Sequence, residues 1–322
     1  MDRIQHKCID VRGVKLHVAE IGTGPRVVVF IHGFPEAWYS WRHQMLTLAA
    51  AGFRTIAPDL RGYGLSEPHP EPEKASFNDF VEDTLTILDY FHIDKAFLIG
   101  KDFGSWPAYL LSILHPERIS GIVSLGVPFF VPKPNRYQGL PEGFYIFRWK
   151  EPGRAEADFG RFDVKTVWRR IYILFSRSEI PIADQNKEIM DMVDPSSPPP
   201  PWLTIEDLAN YAMLYQKSGF DSPMRVPYYK LNLKHEDFTI NNPKVEVPVL
   251  LIMGGKDYFI KFPGIEDYIT SGEVNKYMDN LETRFVPDGN HFIQEQLPDQ
   301  VNEFIVTFLN RLSDQDQAST NV

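Results

Sequence analysis

The chain has 322 residues, 43% of them hydrophobic, enough to bury a large core in one or two domains. Its formal net charge of −10 argues against nucleic acid or an anionic membrane surface as a partner. A single cysteine, Cys8, excludes an intrachain disulfide, and no apolar run approaches the ~20 residues of a membrane-spanning helix. The N-terminal Met-Asp-Arg-Ile-Gln-His-Lys does not read as a signal peptide and the C-terminus lacks a peroxisomal address, so a cytoplasmic location is expected.

In chain order, two strand-like runs at residues 7–11 and 14–19, joined through Arg12-Gly13, predict an antiparallel hairpin at a sheet edge. Arg26–Ile31 follows, apolar between its ends as a buried parallel strand should be. Residues 54–57, 96–99, 121–125 and 247–253 have the same character. Between them lie amphipathic, helix-length stretches at 39–50, 77–91 and 103–115. Strand alternating with helix predicts an α/β fold, a mostly parallel sheet flanked by helices. The alternation stops near Pro132 and resumes near Val247. The stretch between holds the run Pro198-Pro199-Pro200-Pro201 and helical segments at 164–175, 205–218 and 226–233, and reads as a helical insertion over one end of the sheet. The expected division is core at 1–131 and 245–312, insertion at 132–244, and a flexible polar tail at 313–322.

Four sites carry the chemistry. Ile99-Gly100-Lys101-Asp102-Phe103-Gly104 ends one strand and opens a helix, the frame of a nucleophile elbow with Asp where Ser is usual. His32-Gly33-Phe34-Pro35 follows another strand. The backbone N–H groups of Phe34 and Phe103 are positioned to hold an oxyanion, while His32 is expected to support the loop. Asp257 follows the strand-like run ending at Met253, and His291 follows Thr283–Val286's run in a loop; Asp257 is the candidate to orient His291 as general base, ahead of Asp288. The order nucleophile, acid, histidine, each at a strand's carboxyl end, matches a hydrolase with a strand-to-helix elbow.

These motifs resemble the α/β hydrolases of the soluble epoxide hydrolase family, particularly its plant members. His32–Glu36 with Trp38-Tyr39-Ser40-Trp41-Arg42 is similar to that family's first loop and helix, and Asp59-Leu60-Arg61-Gly62-Tyr63-Gly64-Leu65-Ser66 to its next loop. The resemblance covers nearly the whole chain. It implies an α/β-hydrolase fold with a helical lid, here residues 132–244, and two lid tyrosines that hold an epoxide oxygen. Tyr145 fits the first, within Tyr145-Ile146-Phe147-Arg148-Trp149-Lys150-Glu151-Pro152-Gly153. Tyr228 and Tyr229 both fit the second, and the sequence leaves that choice open. The candidate substrate-binding residues are Phe34, Pro35, Trp38, Trp106 and Phe147. The implied reaction is hydrolysis of a small apolar epoxide by water to a vicinal diol, through an ester on Asp102. No metal or cofactor is expected, and the chain should be a monomer or homodimer. A dehalogenase on the same triad, an epoxide-opening cyclase and a binding receptor on the same fold are the alternatives. Lys101 and Phe103 depart from the His and Trp that flank the nucleophile in many members.

Overall fold

In a computed structural model the described residues are 3–131, 137–230, 240 and 243–320. Strands β1 (Gln5–Val11) and β2 (Val14–Ile21) form the expected hairpin. Arg12 and Gly13 both take positive φ, 53° and 77°, as a tight two-residue hairpin turn requires. The chain continues as β3 (Arg26–Ile31), α1 (Arg42–Ala50), β4 (Phe53–Pro58), α2 (Phe77–Tyr90), β5 (Ala96–Lys101), α3 (Ser105–Leu114) and β6 (Ile119–Leu125). Strand β5 is buried along its whole length and β3 almost so, because helices cover both faces of the sheet.

After β6 come α4 (Tyr145–Trp149), α5 (Arg154–Phe159), α6 (Val164–Phe175), α7 (Ile205–Tyr215), α8 (Asp221–Met224) and a π-turn at Arg225–Tyr229. Of the helical reading at 226–233, residues 231–233 lie outside the described residues. Local chemistry sets these starts. Asp163 caps α6 by accepting from Thr166 N at 3.0 Å, and Thr204 and Asp207 form a reciprocal capping box at α7. The sheet then resumes with β7 (Val249–Gly254), α9 (Ile265–Thr270), β8 (Leu281–Val286), α10 (Ile293–Gln296) and α11 (Pro298–Thr320). Helix α11 continues to Thr320, so residues 313–320 of the expected polar tail are helical, while residues 321 and 322 lie outside the described residues.

The eight strands lie in the order β1-β2-β4-β3-β5-β6-β7-β8, antiparallel through β2/β4 and parallel from there on. The parallel strands therefore bring the loops after β3, β5, β7 and β8 to one end of the sheet. The helical insertion is anchored to the core by a buried polar cluster. Arg42 pairs with Glu295 and, at 2.9 Å, with Asp207. Tyr172 and Tyr211 hydroxyls donate to Glu295 at 2.6 and 2.8 Å, and Tyr172 stacks on Phe292 with ring centres 4.1 Å apart. No described helix is long and apolar enough to cross a membrane.

Candidate active site

The loop after β5 makes the sharpest turn in the site. Asp102 sits at φ 52°, a left-handed conformation that costs a non-glycine residue about 1–3 kcal/mol. The turn succeeds because its neighbours have no side chains. A Cβ on Gly104 would lie 2.2 Å from Ile31 O, and one on Gly33 would lie 2.5 Å from Asp102 Cβ. The backbone thus lifts the Asp102 side chain out of the turn, and the Phe34 N–H donates to its Oδ1 at 3.0 Å.

His291 arrives from the loop after β8. Its Nε2 is 3.6 Å from Asp102 Oδ2, and its Nδ1 is 3.1 Å from both carboxylate oxygens of Asp257. Asp257 is itself buried and accepts from Phe259 N at 3.0 Å, which fixes the carboxylate in place. With Nδ1–H directed at Asp257, Nε2 presents a lone pair toward Asp102. Asp288 instead faces solvent, paired with Lys256 at 2.6 Å. His32 is a buried loop brace: its Nδ1 lies 2.9 Å from Gly33 O, and its Nε2 accepts from Leu60 N at 2.9 Å.

Lys101 points away from the nucleophile. It is buried, with Nζ 3.3 Å from Glu36 Oε1 and 5.0 Å from the centre of the Phe292 ring. Glu36 also accepts from Gln294 Nε2 at 2.8 Å and from Gly33 N at 3.3 Å. Burial pushes the Glu36 carboxyl above its ordinary range, and the Lys101 charge opposes that rise. The lysine thus supplies a compensating charge beneath the Phe34 loop.

Above Asp102 the insertion contributes rings. Tyr228 packs edge-on against Phe34 at 5.1 Å, Trp149 at 5.3 Å and Phe103 at 5.3 Å, and its ring centre is 6.3 Å from that of Tyr145. Burial pushes both tyrosine hydroxyls well above their ordinary range, with the Asp102 charge adding to the effect, so both remain protonated donors.

Three expected residues lie elsewhere. The Tyr229 hydroxyl bonds Glu156 and accepts from Gly153 N at 3.2 Å, because consecutive residues of a helical turn point in different directions. Phe147 packs on Phe144 and beneath Lys150, two residues and about 200° around the helix from Tyr145. Trp38 packs against His6 and, farther off, His17 of the edge hairpin, with ring centres 4.6 and 6.2 Å away. Trp106 packs edge-on against Phe129 and Phe130, and Pro35 is buried. Two further rings stand against the site residues outside the candidate set. Trp149, four residues after Tyr145 on the same helix face, packs 5.3 Å from it; Tyr258 follows Asp257 directly and lies 4.9 Å from the His291 ring. Each is marked in the sequence by its position, one helical turn from Tyr145 and next to the acid.

Fold and elbow define an α/β hydrolase, and residues 26–298 match the family model described as alpha/beta hydrolase fold. Epoxide hydrolase 2 of Siraitia grosvenorii is 36% identical over 320 residues, covering 97% of this chain and 100% of that protein. The crystal structure of an epoxide hydrolase from Vigna radiata superposes with a TM-score of 0.88 at 34% identity, covering 97% of this chain and 99% of that one. Potato (Solanum tuberosum) epoxide hydrolase I gives a TM-score of 0.87 at 31% identity, covering 96% and 99%. The chain belongs to the epoxide hydrolase family, in its plant-type branch.

Proposed function

We propose that the chain hydrolyses an apolar epoxide to a vicinal diol in two steps. Asp102 Oδ2 attacks a ring carbon while Tyr145 and Tyr228 donate hydrogen bonds to the ring oxygen. A carboxylate suits this attack, since it displaces oxygen from saturated carbon without first losing a proton. His291, oriented by Asp257, then deprotonates a water that adds to the ester carbonyl. The Phe34 and Phe103 N–H groups hold the resulting oxyanion, and collapse of the adduct releases the diol.

The observation that carries this reading is the surroundings of one carboxylate. Asp102 Oδ1 is already held by the Phe34 N–H, and Oδ2 faces His291. The aromatic lining from Phe34, Phe103, Trp149 and Tyr228 supports an apolar substrate. Residues 132–244 act as the lid over a core of 1–131 and 245–312. Cys8 is free and exposed, which suits the cytoplasmic location we propose.

Incubation with a panel of epoxides in heavy-oxygen water tests the reaction. Diol should form, and in a single turnover the heavy atom should enter Asp102 before it enters product. Heavy oxygen passing directly into diol, with none in Asp102, would reject the ester pathway.

A further inference from the structure

Tyr258 stands immediately after Asp257, at the start of a short 3₁₀ turn, with 3% of its surface exposed. Its ring is fixed by neighbours on several sides: His291 at 4.9 Å, Phe175 at 5.2 Å, Tyr145 at 5.9 Å and Phe262 at 5.9 Å. A phenylalanine would satisfy all of that packing. The hydroxyl is what remains to be explained, and it lies 3.3 Å from the hydroxyl of Tyr145.

A phenol has one proton and two acceptor lone pairs. If Tyr145 donates to Tyr258, its proton is turned away from the substrate. If Tyr258 donates to Tyr145, the Tyr145 proton is free for the epoxide oxygen, and the two bonds polarise one another. We propose that Tyr258 is a positioning residue that hydrogen-bonds to Tyr145 Oη, aims the Tyr145 proton at the epoxide oxygen and stabilises Tyr145 as that proton moves. This rests on the two-step reading above and assigns a third hydroxyl to it.

The step balances. The Asp102 Oδ2–carbon bond forms, the ring carbon–oxygen bond breaks, and its electron pair stays on oxygen. That oxygen takes the Tyr145 proton, and the Tyr145 phenolate is held by the Tyr258 O–H. In ester hydrolysis His291 takes a proton from water and gives it to the departing alkoxide. The regenerated Asp102 carboxyl group then ionises, and its proton restores Tyr145. Epoxide plus water gives diol, with every protein group returned. Burial keeps the Tyr258 hydroxyl protonated, and its hydrogen bond opposes the upward shift of Tyr145, making Tyr145 the better proton donor.

The test is Tyr258→Phe, followed in single turnovers with styrene oxide by intact-protein mass at quenched times. Ester formation should slow about tenfold, the equivalent of one hydrogen bond, while ester hydrolysis changes by less than about twofold. The ratio of the two rates within one preparation is independent of the fraction folded. In a Tyr145→Phe background the same substitution should alter ester formation by less than about twofold, because Tyr258 acts through Tyr145. Unchanged ester formation in the single variant, or a full tenfold loss persisting without the Tyr145 hydroxyl, would overturn the proposal. Absence of any ester in the wild-type protein would instead strike the two-step reading itself.

Discussion

On the sheet side of the site, Asp102 is held by backbone. A left-handed turn, glycines at positions 33 and 104 where a Cβ would lie only 2.5 and 2.2 Å from its nearest neighbour, and one N–H at 3.0 Å fix its position. On the insertion side, Tyr145 and Tyr228 are held by rings, at centre-to-centre distances of 5.0–5.3 Å from Phe34, Phe103, Phe144, Phe175 and Trp149. Backbone geometry leaves no room for adjustment, whereas interlocked rings tolerate exchange of one apolar shape for another. The side that forms the covalent bond is the rigid one. The side that receives the substrate is the one a sequence can vary.

The widest separation between the two sides should come from Asp102→Ala, which removes the carboxylate that forms the ester and is expected to lower diol formation by at least about 10⁴-fold. Gly33→Ala comes next. Its Cβ would sit 2.5 Å from Asp102 Cβ, so the carboxylate must move, and a shift near 1 Å costs on the order of 10²-fold in kcat. Tyr228→Phe keeps the ring and removes one donor, with Tyr145 still present; a loss of roughly tenfold to a hundredfold is expected. Tyr229→Phe should change kcat by less than about twofold, because its hydroxyl serves Gly153 and Glu156. Equal losses in the last two variants would erase the distinction drawn between those neighbours.

The smallest effect concerns the brace beneath the rigid side. Burial, which disfavours the charged ring, lowers the pKa of His32 below its ordinary 6.5, and the neutral ring accepts from Leu60 N. The unfolded chain takes up a proton near pH 6.5 where the folded chain does not. Stability from this group is therefore complete above pH 6.5 and declines as pH falls below it. Melting temperature between pH 7.5 and 5.5 should drop more steeply in the wild type than in His32→Gln; identical slopes would contradict the assignment.

The rigid side was legible because its signals are local. A strand ending in Gly100-x-Asp102-x-Gly104 states both the turn and its occupant, and the loops after β3, β7 and β8 follow from strands of one parallel sheet. The insertion side depends on side-chain direction, which one-letter patterns carry poorly. Tyr228 and Tyr229 differ only in which way a π-turn points them. Phe147 and Trp149 are exchanged by one half-turn of helix. The sequence places Trp38 in the loop nearest the nucleophile, yet the 3₁₀ turn at Trp38–Trp41 delivers its ring to His6 and His17. Lys101 makes sense only beside Glu36, 65 positions earlier in the chain, a pairing that requires β3 and β5 to be adjacent.

Capture of the ester itself tests the central claim most directly. His291→Ala should form the bond but not release it, so mixing that variant with an epoxide should add the mass of one substrate molecule, mapped by peptide sequencing to Asp102. A variant that binds the epoxide yet gains no mass, or gains it at another side chain, would contradict the account.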